Sequence, residues 1–187
     1  MGISCLYTRL VLCKKKAGRA SCHSQLNDII CRALVSGVPT VLEPVGLQRD
    51  DGRRPDGMSL VPWKNGKCVV WDATSGDTVA PSHIEISARH AGRVAETRAS
   101  QKKTKYKQIV EDYLFVPFSV ETLGPWSEST KKFTKNGRRL IERSGDRRAA
   151  AFLTQRISLA IQRGNSAAVM GTLPMGSSLD EMFYILS

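Results

Sequence analysis

The feature that most constrains this chain is a pair of β-prone runs, Met58-Ser59-Leu60-Val61 and Cys68-Val69-Val70-Trp71, separated by a turn containing Asn65-Gly66. Asn-Gly tolerates the positive φ angles of a tight hairpin, so the two runs are expected to pair antiparallel. Pro55-Asp56 precedes the first run and Asp72 ends the second. A carboxylate beside Val69, Val70 and Trp71 is costly unless it is paired, hydrogen-bonded or bound to a cation. Two such groups together invite a metal ion, and register decides whether they meet. A two-residue Asn65-Gly66 turn pairs Ser59 with Asp72 and sends Asp56 and Asp72 to opposite faces. A three-residue loop, Lys64-Asn65-Gly66, pairs Met58 with Asp72 and makes Asp56 its diagonal neighbour on the same face, about 7–8 Å away between Cβ atoms. The three-residue loop is the expectation, because both carboxylates can then lean onto one ion with oxygen bonds of about 2.1 Å, as magnesium requires.

Around the hairpin the pattern alternates. From Ser24 to Val35 the residues Leu26, Ile29, Ile30, Ala33 and Leu34 recur at helical spacing, with Gly37 and Pro39 closing the element. Thr40-Val41-Leu42 reads as a strand running into Glu43-Pro44 and a polar loop. Residues 88–112 read as one long helix. Residues 113–120, YLFVPFSV, form a strand in which Pro117 suggests an edge or bulged position. From Trp126 the pattern is helical to about Met170, with breaks at Gly145 and Gly164. The order implies an α/β or α+β arrangement with a small central sheet.

Two helical positions bear on the carboxylates. At 100° per residue Ala91, Ala95, Lys102, Tyr106, Ile109 and Tyr113 fall in one narrow stripe with Lys102 at its centre, and Lys105 lies near its edge. A lysine there either snorkels past the core to solvent or meets the acidic pair. His23 and Asn27 share a helix face four residues apart. That leaves His23 either as a residue of the helix start or as one that touches phosphate or metal.

Composition narrows the class. At 187 residues, 41% hydrophobic and 24% charged, the chain is globular, and no apolar run approaches the ~20 residues needed to span a bilayer. Lys plus Arg outnumber Asp plus Glu by 28 to 17, and a net charge of +11 points to a polyanion, nucleic acid first. Seven of those net charges fall between Trp126 and Arg163, where Lys131, Lys132, Lys135, Arg138, Arg139, Arg143, Arg147, Arg148, Arg156 and Arg163 face only Glu128, Glu142 and Asp146. Such density fits phosphate contacts that position a duplex, and a solvated helix face explains the same run. Cys5, Cys13, Cys22, Cys31 and Cys68 form an odd, irregular set without C-x2-C spacing, which argues against a secreted disulfide scaffold and against structural zinc. The first residues lack a signal-peptide pattern, since Arg9 interrupts the apolar run, and Leu6 stands where a myristoylation start needs Ser or Thr.

Pro55-Asp56, fifteen intervening residues and Asp72-Ala73-Thr74 resemble the PD-(D/E)xK pattern of restriction-endonuclease-like nucleases, with Thr74 in place of the lysine. The run RRPDG, a turn, VVWDAT and the lysine-rich KKTKY resemble more specifically the restriction-like endonuclease domain of non-LTR retrotransposons. FVPFSVETLGPW and QRISLAIQRGNSAAV are similar to the C-terminal ends of reverse-transcriptase reading frames that carry such a domain, so the resemblance covers residues 22–173. It implies a restriction-endonuclease-like α/β core over residues 22–124, a basic helical extension over 125–173, a truncated zinc knuckle or disordered segment over 1–21 and a flexible tail over 174–187. The chain would then be a piece of a longer polyprotein, beginning inside the knuckle.

The activity implied is Mg²⁺-dependent nicking of DNA, with Mn²⁺ able to serve. Asp56 and Asp72 would hold the ion, Glu43 would be an accessory ligand, and Lys102 or Lys105 would take the place of the family lysine. Arg53, Arg54, Lys131, Lys132, Lys135, Arg138, Arg139, Arg147 and Arg148 would contact nucleic acid. DNA is the partner implied, with RNA or a reverse-transcriptase-containing element beside it, no membrane, and a nuclear location. Because Thr74 cannot supply the missing positive charge, the alternative is a nucleic-acid-binding remnant that has lost cleavage.

Overall fold

The computed structural model describes residues 17–35, 38–47, 52–143 and 148–170. Its elements are α1 (Ala17–Val35), β1 (Thr40–Leu42), β2 (Gly57–Ser59), β3 (Val69–Gly76), α2 (Ile84–Arg89), α3 (Arg93–Lys105), a 3₁₀ turn (Lys107–Val110), β4 (Leu114–Glu121), α4 (Glu128–Arg143) and α5 (Ala149–Met170). The strands form one sheet in the order β1-β2-β3-β4, antiparallel except for the parallel pair β3–β4. A small mixed sheet flanked by helices is thus the architecture, and none of the described helices is long and apolar enough to cross a membrane.

Strand β3 is central, and its period of two divides the molecule. Val69, Trp71 and Ala73 face the larger core with Val116, Phe118 and Val120 of β4. Helix α1 covers that face with Cys22, Leu26, Ile29, Ile30 and Leu34, spaced so that one stripe is buried. Phe133 of α4 and Leu153, Ile157, Ala160 and Ile161 of α5 complete the same core, so the basic C-terminal helices pack into the sheet domain itself. Val70 points the other way, into a smaller cluster with Tyr106 and Ile109. Asp72 follows at the next position of that second face.

Three expectations change. The helix expected over 88–112 is divided, because Gly92 takes a left-handed φ of 82° between α2 and α3, a conformation that ends regular helix. Gly164 does not break α5, where it is buried, whereas Gly145 lies outside the described residues. The hairpin turn has two residues, not three: Asn65 and Gly66 have φ of 52° and 72°, and Lys64 bridges Lys67.

That turn alone would have pointed Asp56 away from Asp72, but the strands pair Gly57 with Trp71 and Met58 with Val70. The register is shifted by three residues, taken up where the chain bulges between Ser59 and Trp63. Ser59 holds the bulge, since its hydroxyl donates to Val61 O at 2.8 Å and accepts from Val69 N–H at 2.9 Å. The shift brings Asp56, whose N–H donates to Trp71 O, beside Asp72 by a route the turn did not foretell.

Two further contacts fix the frame. Glu121, buried at the end of β4, accepts from Ala95 N–H at 3.0 Å and Gly92 N–H at 3.3 Å and so caps the start of α3 with charge. The Trp71 ring lies against the Gly57 backbone: a Cβ there would stand 2.1 Å from Trp71 Cζ2. Gly57→Ala must therefore displace a fully buried indole, and it should lower the unfolding free energy by about 3 kcal/mol, at the upper end of over-packing costs. Urea denaturation checks this; an unchanged midpoint would mean that the ring has room to move.

Candidate metal centre

Asp72 sits in the middle of β3 and is 2% exposed. A carboxylate so placed needs a partner, and Lys102 Nζ provides one at 2.5 Å from Oδ1. Lys102 reaches it because α3 presents Ala95 and Ala99 to the sheet, with Tyr106 following, and the lysine falls on that stripe. The positive charge absent at Thr74 is in this way present from the neighbouring helix.

Asp56 stands where β2 has not yet begun, so β3 has an open hydrogen-bonding position beside it. Its carboxylate fills the position: Oδ2 accepts Ala73 N–H at 2.6 Å. The same oxygen lies 3.0 Å from His23 Nε2, reaching over from α1. Behind His23, Asn27 stands one turn along α1, with Nδ2 3.4 Å from His23 Nδ1 and Oδ1 3.2 Å from Trp71 Nε1.

His23, Asp56 and Asp72 can each offer one ligand atom such that all three lie within 4.8 Å of one another, the one such group among the described residues. The cluster is partly buried and can hold a divalent metal ion. Neither the pair of aspartates nor its spacing pointed to His23 as the third member; the signal was the His23–Asn27 pairing on one helix face, and the packing of α1 over β3 gave it meaning.

Charge in the cluster is shared. The hydrogen bond with Asp56 holds His23 above its ordinary pKa of 6.5, ahead of a burial effect that lowers it. Burial pushes Asp56 up, but the His23 hydrogen bond and charge, with the Ala73 N–H and Asn27, outweigh it and hold the carboxyl below its ordinary 3.8. Asp56 therefore contributes stability above that value which is lost as pH falls through its depressed pKa. His23 contributes below 6.5, and that part is lost as pH rises through its raised pKa. The stability difference between the metal-free protein and His23→Gln should accordingly be largest in the mildly acidic range between the two and shrink on either side. Denaturant titrations across pH measure it, and a flat difference would exclude a charge-assisted pair.

The other expected site residues are placed differently. Glu43, exposed, is engaged by Arg54 and lies outside the three-residue cluster, so it is not brought to the ion position as an accessory ligand. Its backbone is nonetheless tied to the motif, since Glu43 N–H donates to Asp56 O at 2.8 Å. Lys105 turns to Tyr106, with Nζ 3.1 Å from the hydroxyl, and Tyr106 donates to Arg54 O at 3.0 Å. Arg53 and Arg54 are exposed beside Pro55. Lys131, Lys132 and Lys135 are exposed on α4, which packs on β4, the strand flanking β3 on the side away from Asp56. Arg138 and Arg139 belong to α4, Arg148 is exposed, and Arg147 lies outside the described residues, as do Cys5 and Cys13. Cys22, the knuckle candidate within the described chain, is buried in the core, and burial pushes its thiol pKa up.

Lys102→Met would strand the Asp72 carboxylate and should cost about 3–5 kcal/mol, as for other broken buried pairs, whereas Lys102→Met combined with Asp72→Asn should regain much of it. Urea unfolding in chelator checks this, and equal losses in the single and double variants would contradict the pairing. Compared with known proteins, the sequence matches no family model and no curated protein.

Proposed function

We propose that this chain is a metal-dependent DNA endonuclease that nicks its substrate, with a restriction-endonuclease-like core related to the domain of non-LTR retrotransposons. The convergence of Asp56, Asp72 and Lys102 at one point of β3 carries this reading. Two carboxylates supply hard oxygen ligands, which suit Mg²⁺ with Mn²⁺ as a substitute. When bound, the ion would activate water and neutralise charge on the scissile phosphate. Asp72 holds Lys102 Nζ beside the ion position, and there the ammonium offsets negative charge that develops on the phosphate. Burial of Asp72 excludes water from one side of the pair and strengthens each of these interactions.

The net charge of +11 supports a polyanionic substrate. Arg53 and Arg54 stand next to the motif and are the nearest exposed arginines in sequence to Asp56, fit to bind the phosphodiester backbone close to the break. Lys131, Lys132, Lys135 and Arg148 would hold more distant backbone, and a nuclear location follows from such a substrate.

Asp56→Asn and Asp72→Asn are expected to abolish Mg²⁺-dependent nicking of supercoiled DNA while salt-sensitive duplex binding persists. Undiminished cleavage by either variant would refute the assignment. Thr74 in the lysine place favours a second reading, a binding remnant without chemistry. Wild-type protein that binds duplex DNA but leaves it intact in both Mg²⁺ and Mn²⁺ would select it.

A further inference from the structure

The side chains behind His23 decide which of its ring nitrogens carries a proton. Trp71 is fully buried, and its indole N–H can only donate. Its acceptor is Asn27 Oδ1 at 3.2 Å. The Asn27 amide, itself buried, is oriented by that bond, because turning it over would set NH₂ against the indole N–H with both groups donors. Asn27 Nδ2 consequently points to His23 Nδ1, 3.4 Å away. An NH₂ group offers hydrogens alone, so Nδ1 must present its lone pair and the ring proton resides on Nε2. Nε2 in turn faces Asp56 Oδ2 at 3.0 Å, a donor opposite an acceptor.

We propose that His23 is a positioning residue for Asp56 and not a third metal ligand: its Nε2–H, together with Ala73 N–H, holds Asp56 Oδ2 and turns Oδ1 to the cation. This rests on the reading of Asp56 and Asp72 as the metal carboxylates. A histidine that ligates through Nε2 keeps its proton on Nδ1 and gives it to an acceptor behind the ring. Here the group behind the ring is a donor. Ligation through Nε2 would require Nδ1–H to face the Asn27 NH₂, or the amide to turn and abandon the Trp71 N–H. Donation from Nε2 by the neutral ring has neither difficulty, since Nδ1 then offers its lone pair to the Asn27 NH₂. The protein ligands to the ion are then all oxygen, a set that takes Mg²⁺ or Mn²⁺ in preference to Zn²⁺.

Two measurements on the full chain test this. In metal-free protein labelled with ¹⁵N at histidine, at a pH where the ring is neutral, the His23 signal is identified by its loss in His23→Gln; Nδ1 should have the shift of an unprotonated nitrogen and Nε2 that of a protonated one. The opposite tautomer would overturn the proposal. With Mn²⁺ added, pulsed EPR should find no directly bound imidazole nitrogen in the wild type. Asn27→Asp supplies an acceptor for both Nδ1–H and Trp71 N–H, so in that variant a directly bound imidazole nitrogen should appear. A bound nitrogen in the wild type that disappears in His23→Gln would overturn the positioning role. Failure of the wild type to bind Mn²⁺ at all, with the expected tautomer intact, would instead remove the metal reading on which the role rests.

Discussion

A carboxylate in the middle of a buried strand sets the terms for the rest of this molecule. Asp72 occupies the position where β3 would otherwise continue Val70 with another apolar side chain, and a lone charge there would be prohibitively expensive. Lys102 meets that charge only if α3 lies along the second face of the sheet with the right rotation and height. Tyr106 and Ile109, packed on Val70, supply the rotation, and the Glu121 cap supplies the height. The apolar cluster beneath α3 is small, so its packing and the ion pair support one another.

Trp71, the neighbouring residue, organises the opposite face. Its ring rests on Gly57, which explains why the residue after Asp56 has no side chain, and its N–H reaches α1 through Asn27. One strand therefore delivers an acid to one face and, one residue earlier, the indole that anchors the acid's surroundings from the other. The cluster of His23, Asp56 and Asp72 draws on α1, the approach to β2 and β3, three pieces of chain far apart in sequence that the fold brings to one point.

Much of this was legible in the residues. Asn65-Gly66 announces the tight turn, the apolar run around Asp72 announces a buried acid, and the stripe through Ala95, Lys102 and Tyr106 announces a lysine turned to the sheet. The register was not legible, because it depends on Ser59 closing a bulge with its hydroxyl and on an indole accepting no Cβ at Gly57, both contacts between distant residues. His23 was visible on a helix face with Asn27, but a helical period fixes only which residues share a face. Which structure that face meets follows from how α1 crosses the sheet. In the same way the basic run after Trp126 reads as a surface feature, while Phe133, Leu153 and Ile157 within it form part of the main core.

The Glu121 cap gives α3 the character of a ruler. From Ala95, whose amide is held by β4, to Lys102 is seven residues, a rise of about 10.5 Å along the axis and very nearly two full turns. The strand on one side of β3 thus sets where along β3 the ammonium arrives. One residue added or removed within that interval would rotate the lysine by about 100° and aim it at solvent or at the core. For the ion pair with Asp72 to form, the length between cap and lysine therefore has to stay constant.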